Sequence, residues 1–198
     1  MRLIWIYLNL IFWTFLFGFS SFIVISISGK KNFFKFFGLI WGKTLSLIFN
    51  VKLTVKGKNN LSSHVNYIFS ANHASLIDIP LLLIIATNRY TVFIAKKELS
   101  KIPIFKSILD KAGFIFVDRQ NNKNAIESMN NFIRDIKKIP RSIGVFPEGT
   151  RTEDGKLKEF KKGASVLSIN TKIPIVPVAI SGSFKWAKKR LFDFSRSE

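Results

Sequence analysis

YIFSANHASLIDIP, at residues 67–80, contains three consecutive apolar residues, a histidine, an aspartate and a proline. Residues 67–70 are typical of a strand. Residues 80–85 are typical of the start of a helix, because proline is favoured in the first helical turn. We therefore expect a strand, a loop and a helix, with His73 in the loop and Asp78 beside the helix N-terminus.

His73 and Asp78 have the parts of a general base. Histidine can take up a proton near neutral pH, and a carboxylate bonded to its Nδ1–H fixes the tautomer and orients the ring. On a regular helix, positions five residues apart point about 140° away from each other. Contact between the two side chains therefore requires a turn. The alternative is a chance histidine and an aspartate that only caps the helix.

Composition excludes several classes of site. The 198 residues include no cysteine, so the chain has no disulfide, no thiolate metal site and no cysteine nucleophile. Two histidines are too few for a histidine-rich metal site, and we expect no metal. The formal net charge of +19 favours anionic partners. A mean hydropathy of +0.21 indicates a membrane rather than nucleic acid, for which the chain has no recognisable reading motif.

The N-terminal residues 3–28 carry no charge. As a helix they would be roughly 39 Å long, enough to cross a hydrocarbon core of ~30 Å. A signal peptide is the alternative, but its apolar part is usually only ~7–15 residues long. Lys30, Lys31 and Lys35 follow the segment and only Arg2 precedes it, so a spanning helix would have its C-terminal side in the cytoplasm.

A linker at 29–32 leads to a second helical segment, residues 33–49. On a helical wheel one side carries small and polar residues: Lys35, Gly38, Gly42, Lys43, Ser46 and Asn50. This pattern predicts a helix in the membrane interface with its lysines toward the headgroups. The alternative is an ordinary helix packed on the domain. The two segments could also form a hairpin that dips into one leaflet, so residues 1–50 form the membrane-associated part.

Residues 51–198 alternate between strand and helix patterns. Strands are predicted at 51–55, 65–70, 91–95, 114–117, 143–146 and 175–180, and helices at 80–86, 103–111, 124–138 and 163–169. This alternation predicts an α/β domain with a mixed, largely parallel sheet flanked by helices. Pro177 lies inside the last predicted strand, which should therefore be an edge strand or contain a bulge.

Two predicted strands end in charged residues, and ligands of open α/β sheets bind beyond such ends. Arg119 follows one strand and could grip a phosphate with two hydrogen bonds, although an exposed Asp–Arg pair of little energetic value is the alternative. FPEGTR at 146–151 is either a plain turn or one that displays Glu148 and Arg151 to a substrate. Lys161 and Lys162 open the following helix, where an anion would be favoured.

Four stretches, in this order, resemble the motifs of the 1-acyl-sn-glycerol-3-phosphate acyltransferases, a family of glycerolipid acyltransferases. The stretches are Asn72-His73 with Asp78, Gly113 to Arg119, Phe146 to Arg151, and the Val-Pro-Val that begins at Val176. The resemblance covers roughly residues 51–183, and an apolar N-terminal anchor is usual in that family. Relatives usually continue beyond the position of Glu198, so the chain is a short member or lacks a C-terminal portion.

The resemblance implies an enzyme of phospholipid synthesis. A fatty acyl group would move from acyl-CoA or acyl carrier protein to the sn-2 hydroxyl of lysophosphatidate, giving phosphatidate. The resemblance assigns catalysis to His73 and Asp78, and substrate binding to Asn72, Arg119, Glu148, Gly149, Thr150 and Arg151, with Lys161 and Lys162 as anion contacts. It implies no bound cofactor and no metal. We expect anionic membrane lipids as partners, and a bacterial inner membrane with the active site on the cytoplasmic side.

The sequence is also compatible with two alternatives. A related acyltransferase would use glycerol 3-phosphate or another lysolipid as acceptor, because the motifs discriminate poorly between acceptors. A non-enzymatic protein could use its basic surface only to bind membranes. In that case His73 would have no catalytic role.

Overall fold

The computed structural model describes residues 2–86, 89–118 and 121–185, and begins with two apolar helices. These are α1 (Arg2–Ser28) and α2 (Phe34–Ile48), joined by a 3-10 turn at Lys31–Phe33. The following elements are β1 (Ile68–Ala71), α3 (Asp78–Ile85), β2 (Thr91–Lys96), α4 (Pro103–Lys111), β3 (Ile115–Val117), α5 (Asn122–Lys138), β4 (Ser142–Val145), α6 (Gly163–Thr171) and β5 (Ile175–Val178). Strands and helices therefore alternate after α2, as the sequence predicted.

The five strands form one sheet in the order β3-β2-β4-β1-β5. Every pairing between them is parallel, so the sheet has none of the antiparallel pairs that a mixed sheet would contain. The predicted α/β class is confirmed. β5 contains Pro177 and lies at the edge of the sheet, also as predicted, because proline has no backbone N–H to donate to a neighbouring strand.

Alternate residues of each strand point to opposite faces of the sheet. Ile68 packs into a core with α5 and α6, whose Phe132, Ile136 and Leu167 are buried there. Phe69 lies in a different core, against Leu82 of α3. Helices therefore cover both faces, and the parallel strands present their carboxyl ends at one common edge.

The predicted strand at 51–55 is wrong. This segment has no regular secondary structure and is largely exposed. It lines a groove of about 910 Å³ together with β5 instead of pairing with that strand. Alternation of apolar and polar residues also fits an extended surface segment, which explains why the pattern alone predicted a strand.

α1 packs on the rest of the molecule along one side only. It contacts α2 and α4, and its Ile25 belongs to the core that also contains Ile68. The other side exposes large apolar side chains, including Leu8, Phe12 and Phe19. Among the described helices, α1 is long and apolar enough over Ile4–Ser28 to cross a membrane.

Two glycines on the predicted small and polar side of α2 face the domain, as in the alternative of a helix packed on the domain. Gly38 and Gly42 are buried, and α2 packs tightly on α3. A Cβ atom at Gly42 would lie 2.6 Å from the carbonyl oxygen of Pro80. Glycine thus allows two helix backbones to approach closely. On the helical wheel, these glycines are grouped with the polar residues on one side of the helix.

We expect Gly42→Ala to lower the free energy of unfolding by about 1–3 kcal/mol, because the added methyl group would force the two helices apart. Gly163→Ala is the matched control, since a Cβ atom there meets nothing within 4 Å. Thermal unfolding of the detergent-solubilised chain would measure both. Equal midpoints for the two variants would contradict the close contact between α2 and α3.

Candidate active site

The loop after β1 brings His73 and Asp78 together. The Nδ1 atom of His73 lies 2.9 Å from Oδ2 of Asp78. The histidine side chain is 13% exposed and the aspartate side chain is fully buried. The contact that the sequence predicted is therefore present, and the ring is still accessible from outside.

Asp78 holds the loop as well as the imidazole. Its Oδ2 atom also accepts hydrogen bonds from the backbone N–H groups of Ala74 and Ser75, at 2.7 and 2.8 Å. These donors precede α3, so Asp78 does not simply cap the helix. α3 begins at Asp78, two residues before the predicted start, and the tight turn ahead of it allows contact over five positions.

The three donors on Oδ2 define the tautomer of His73. An oxygen that accepts two backbone N–H groups is an acceptor, so Nδ1 carries the proton that it shares with Asp78. In the neutral imidazole the lone pair is then on Nε2. This is the arrangement that a general base requires.

The loop after β4 surrounds His73. The ring of Phe146 stacks on the imidazole with a centroid distance of 3.9 Å and an interplanar angle of 16°. The backbone N–H of Thr152 donates to the carbonyl oxygen of His73 at 2.9 Å. Aromatic stacking and a backbone bond therefore restrict both the ring and the chain that carries it.

Glu148 joins these two loops. Its Oε1 accepts from the backbone N–H of His73 at 2.7 Å, and its Oε2 accepts from that of Lys158 at 2.9 Å. The residue is 4% exposed. Both oxygens are thus engaged with the backbone, an arrangement that favours positioning of His73 over the substrate contact predicted from sequence.

Arg151 lies in a partly buried position near the pair. Burial lowers the pKa of its guanidinium, while a hydrogen bond with the Tyr7 side chain and the negative charge of Asp78 partly offset that effect. Arginine nevertheless remains protonated in proteins. Its buried Nη1 has no hydrogen-bond partner among the described residues, so a cationic donor remains for a ligand.

Asn72 has a structural role. Its side-chain amide donates to the carbonyl oxygen of Ile180 at 2.9 Å and accepts from the N–H of the same residue at 2.7 Å. Both polar atoms of the amide are therefore used to fix the His73 loop to the chain after β5. This arrangement favours a positioning role over the substrate contact predicted from sequence.

The other predicted residues of the FPEGTR turn lie nearby. Gly149 has φ +72°, which glycine adopts without strain, and the Lys161 side chain lies over its Cα. Thr150 is half-buried in the same turn. Lys162 is exposed at the start of α6, and no described contact joins it to His73.

Arg119 falls outside the described residues. Its neighbour Asp118 ends the chain segment after β3 and pairs with Lys97 at 3.0 Å, across the gap between the ends of β2 and β3. Asp118 thus forms an ion pair with Lys97 at that sheet edge.

Sequence reasoning missed Tyr7 and Thr152. Tyr7 is an apolar-helix residue more than a hundred positions from its partner Arg151, and nothing in local spacing connects them. Thr152 contributes only a backbone N–H at this site, which residue type does not reveal. In the described part of the chain, no group of three or more histidine, aspartate or glutamate side chains could hold a metal ion.

Comparison with known proteins supports the motif resemblance. The chain is 36% identical over 156 residues to a 1-acyl-sn-glycerol-3-phosphate acyltransferase of Cocos nucifera, covering 78% of this chain and 50% of that protein. It is 36% identical over 154 residues to the protein of the same name from Saccharomyces cerevisiae, covering 77% and 50%. The chain thus spans about half the length of these curated relatives.

A solved structure has the same fold. The crystal structure of the 1-acyl-sn-glycerophosphate (LPA) acyltransferase PlsC from Thermotoga maritima superposes with a TM-score of 0.74 at 28% identity, covering 96% of this chain and 80% of that one. The family model described as Acyltransferase matches residues 52–181, which contain all four motifs. The chain therefore belongs to the acyltransferase family, as its motifs predicted.

Proposed function

We propose that this chain transfers a fatty acyl group from a thioester of coenzyme A or acyl carrier protein to the sn-2 hydroxyl of 1-acylglycerol 3-phosphate. The product would be phosphatidate. The observation that carries the proposal is the accessible His73 ring, fixed through Nδ1 by buried Asp78, whose negative charge also acts on Arg151. The names of the relatives support the choice of acceptor.

The proposed reaction would use this geometry. Nε2 of His73 would take the proton of the acceptor hydroxyl while the hydroxyl oxygen attacks the thioester carbonyl carbon. Collapse of the tetrahedral intermediate breaks the carbon–sulfur bond, and the imidazolium returns its proton to the departing thiolate. Asp78 stabilises the imidazolium throughout without taking up the proton. The nucleophile belongs to the substrate, so the chain requires no cysteine or serine nucleophile.

Arg151 would bind the phosphate of the acceptor. A guanidinium is suited to phosphate oxygens, and its unpartnered buried Nη1 would gain the hydrogen bond that it otherwise lacks. Arg119, Thr150 and Lys161 remain proposed contacts of the same anionic substrate. Glu148 and Asn72 would act indirectly, by holding the His73 loop in place.

Membrane attachment would bring the active site to its lipid substrates. α1 is packed at both ends, with Tyr7 against Arg151 and Ile25 in the core, so it runs along the molecule. A helix held in this way would lie in one leaflet rather than cross the bilayer, with its exposed apolar side in the acyl chains. We propose the cytoplasmic face of a bacterial inner membrane as the location.

The decisive assay supplies labelled acyl-CoA or acyl-carrier-protein thioester to the purified chain with a panel of acceptors. The panel contains lysophosphatidate, glycerol 3-phosphate and lysophosphatidylcholine. Phosphatidate formed only from lysophosphatidate would establish the proposed acceptor. Transfer to glycerol 3-phosphate alone would assign the related activity, and no transfer to any acceptor would leave only a membrane-binding role.

We expect His73→Ala and Asp78→Asn to reduce kcat by about 10²–10⁴-fold, because general-base catalysis would be lost. Asp110→Asn is the matched control: Asp110 is a partly exposed carboxylate on α4 that pairs with Lys106. The control should retain activity within about twofold. Wild-type kcat in folded His73→Ala would rule out the proposed base.

Tyr7→Phe should raise KM for lysophosphatidate about tenfold with little change in kcat. The hydroxyl orients the phosphate-binding Arg151, and a hydrogen bond to a charged group has a net value of about 1.5–3 kcal/mol. Tyr67→Phe is the control, because that hydroxyl bonds Ser62 instead. An unchanged KM in Tyr7→Phe would show that α1 does not orient the arginine.

Glu148→Gln separates positioning of His73 from substrate contact. Glutamine would present an N–H to one of the two backbone donors, so the loop should shift and kcat should fall about tenfold at unchanged KM. Steady-state kinetics with varied lysophosphatidate measures this. A rise in KM alone would instead support direct contact between Glu148 and the acceptor.

A further inference from the structure

A cavity of about 530 Å³ lies at the end of the sheet opposite to His73. Its walls include Asn66, Tyr90 and Pro140, which lie just before β1, β2 and β4. His73 follows the carboxyl end of β1, and all the strands are parallel. This cavity is therefore separate from the candidate active site.

Four cationic side chains and no carboxylate line the cavity. Lys30, Lys31, Lys35 and Arg89 contribute to its walls, and no aspartate or glutamate does. Within the described residues, the three lysines form no ion pair. Like charges gathered at a concave surface repel each other and raise the local potential, so an anion would be attracted there.

Hydrogen bonds fix the position of Arg89 in the cavity wall. The Arg89 guanidinium donates to the carbonyl oxygens of Val65 at 3.1 Å and Ser62 at 2.6 Å, and lies over the ring of Tyr67. These contacts tie the 62–67 segment to the start of β2. The positive charge on this side of the cavity is thus held in a fixed position.

Exposed apolar side chains surround the cations. Val65 and Ile139 line the cavity, and Ile27 and Phe33 lie beside it on the chain that also supplies the lysines. Ile27 is 84% exposed and continues the apolar side of α1. A ligand that satisfies both features has an anionic head and an apolar body.

We propose that this cavity binds the phosphate-bearing headgroup of an anionic phospholipid from the surrounding membrane. The bound lipid would fasten the C-terminal end of α1 to the bilayer while the N-terminal end contacts Arg151. A free phosphate ester shares the headgroup chemistry, but it would leave the exposed apolar rim in water. The inference rests on the proposed membrane association of α1 and not on acyl transfer.

The test counts bound lipid on the full chain. Native mass spectrometry of the protein in dodecyl maltoside would follow titration with phosphatidylglycerol and, separately, with phosphatidylcholine. The test variant is K30Q/K31Q/K35Q. The matched control is K111Q/K123Q/K172Q, which removes the same charge from exposed positions outside the cavity. Glycerol 1-phosphate is added in a competition arm.

We expect one tightly bound phosphatidylglycerol, with affinity reduced about tenfold or more in the cavity variant and less than about threefold in the control. Phosphatidylcholine should bind at least about tenfold more weakly to the wild type. Equal losses in both variants would overturn the proposal, because they would indicate diffuse charge. Displacement of the lipid by millimolar glycerol 1-phosphate would assign the cavity to soluble phosphate esters and would also overturn it.

Acyl transfer in mixed micelles provides an independent readout. The cavity variant should retain wild-type kcat, since none of its substitutions lies near His73. Loss of lipid binding with retained activity supports the proposal. An inactive wild-type chain that still binds phosphatidylglycerol would refute the proposed function alone. If the melting curve shows that the cavity variant is unfolded, lipid binding is compared in the single variants K30Q and K35Q instead.

Discussion

One carboxylate oxygen organises this structure. Oδ2 of Asp78 accepts the imidazole N–H of His73 and two backbone N–H groups of the loop between them. A buried carboxylate is costly unless it is hydrogen-bonded, and here the loop that supplies the donors is the loop that carries His73. The same bonds therefore fold the turn, choose the histidine tautomer and keep the ring accessible. A regular helix between the two residues could not have done this.

Much of the fold could be predicted because its signals are local. The alternation of strands and helices, and the edge position of the strand with Pro177, follow from residue types and periodicity. The errors came from contacts distant in sequence. The 51–55 segment alternates like a strand but finds no partner, and Gly42 resembles part of a polar stripe although it packs on the backbone of Pro80. Neither outcome can be inferred from one segment alone.

The candidate site shows the same division. The contact between His73 and Asp78 could be predicted, because the chemistry of the pair and the nearby proline both indicate a turn. The use of Glu148 could not, because its partners are backbone N–H groups supplied by two different loops. Residue types identify which side chains can bind an anion. They do not show which of those side chains are already hydrogen-bonded to the backbone in the folded chain.

The position of α1 connects these findings to the membrane. An apolar helix needs only lipid to be stable, yet one side of α1 packs against α2, α4 and the core. Its N-terminal end contacts Arg151, near His73 and Asp78, and its C-terminal end leads into a cavity lined by lysines. Such a helix cannot change its depth or tilt without moving both ends. In the proposed function the lipid acceptor would arrive from the bilayer, and an anchor rigidly joined to the site would fix the distance between His73 and the membrane surface.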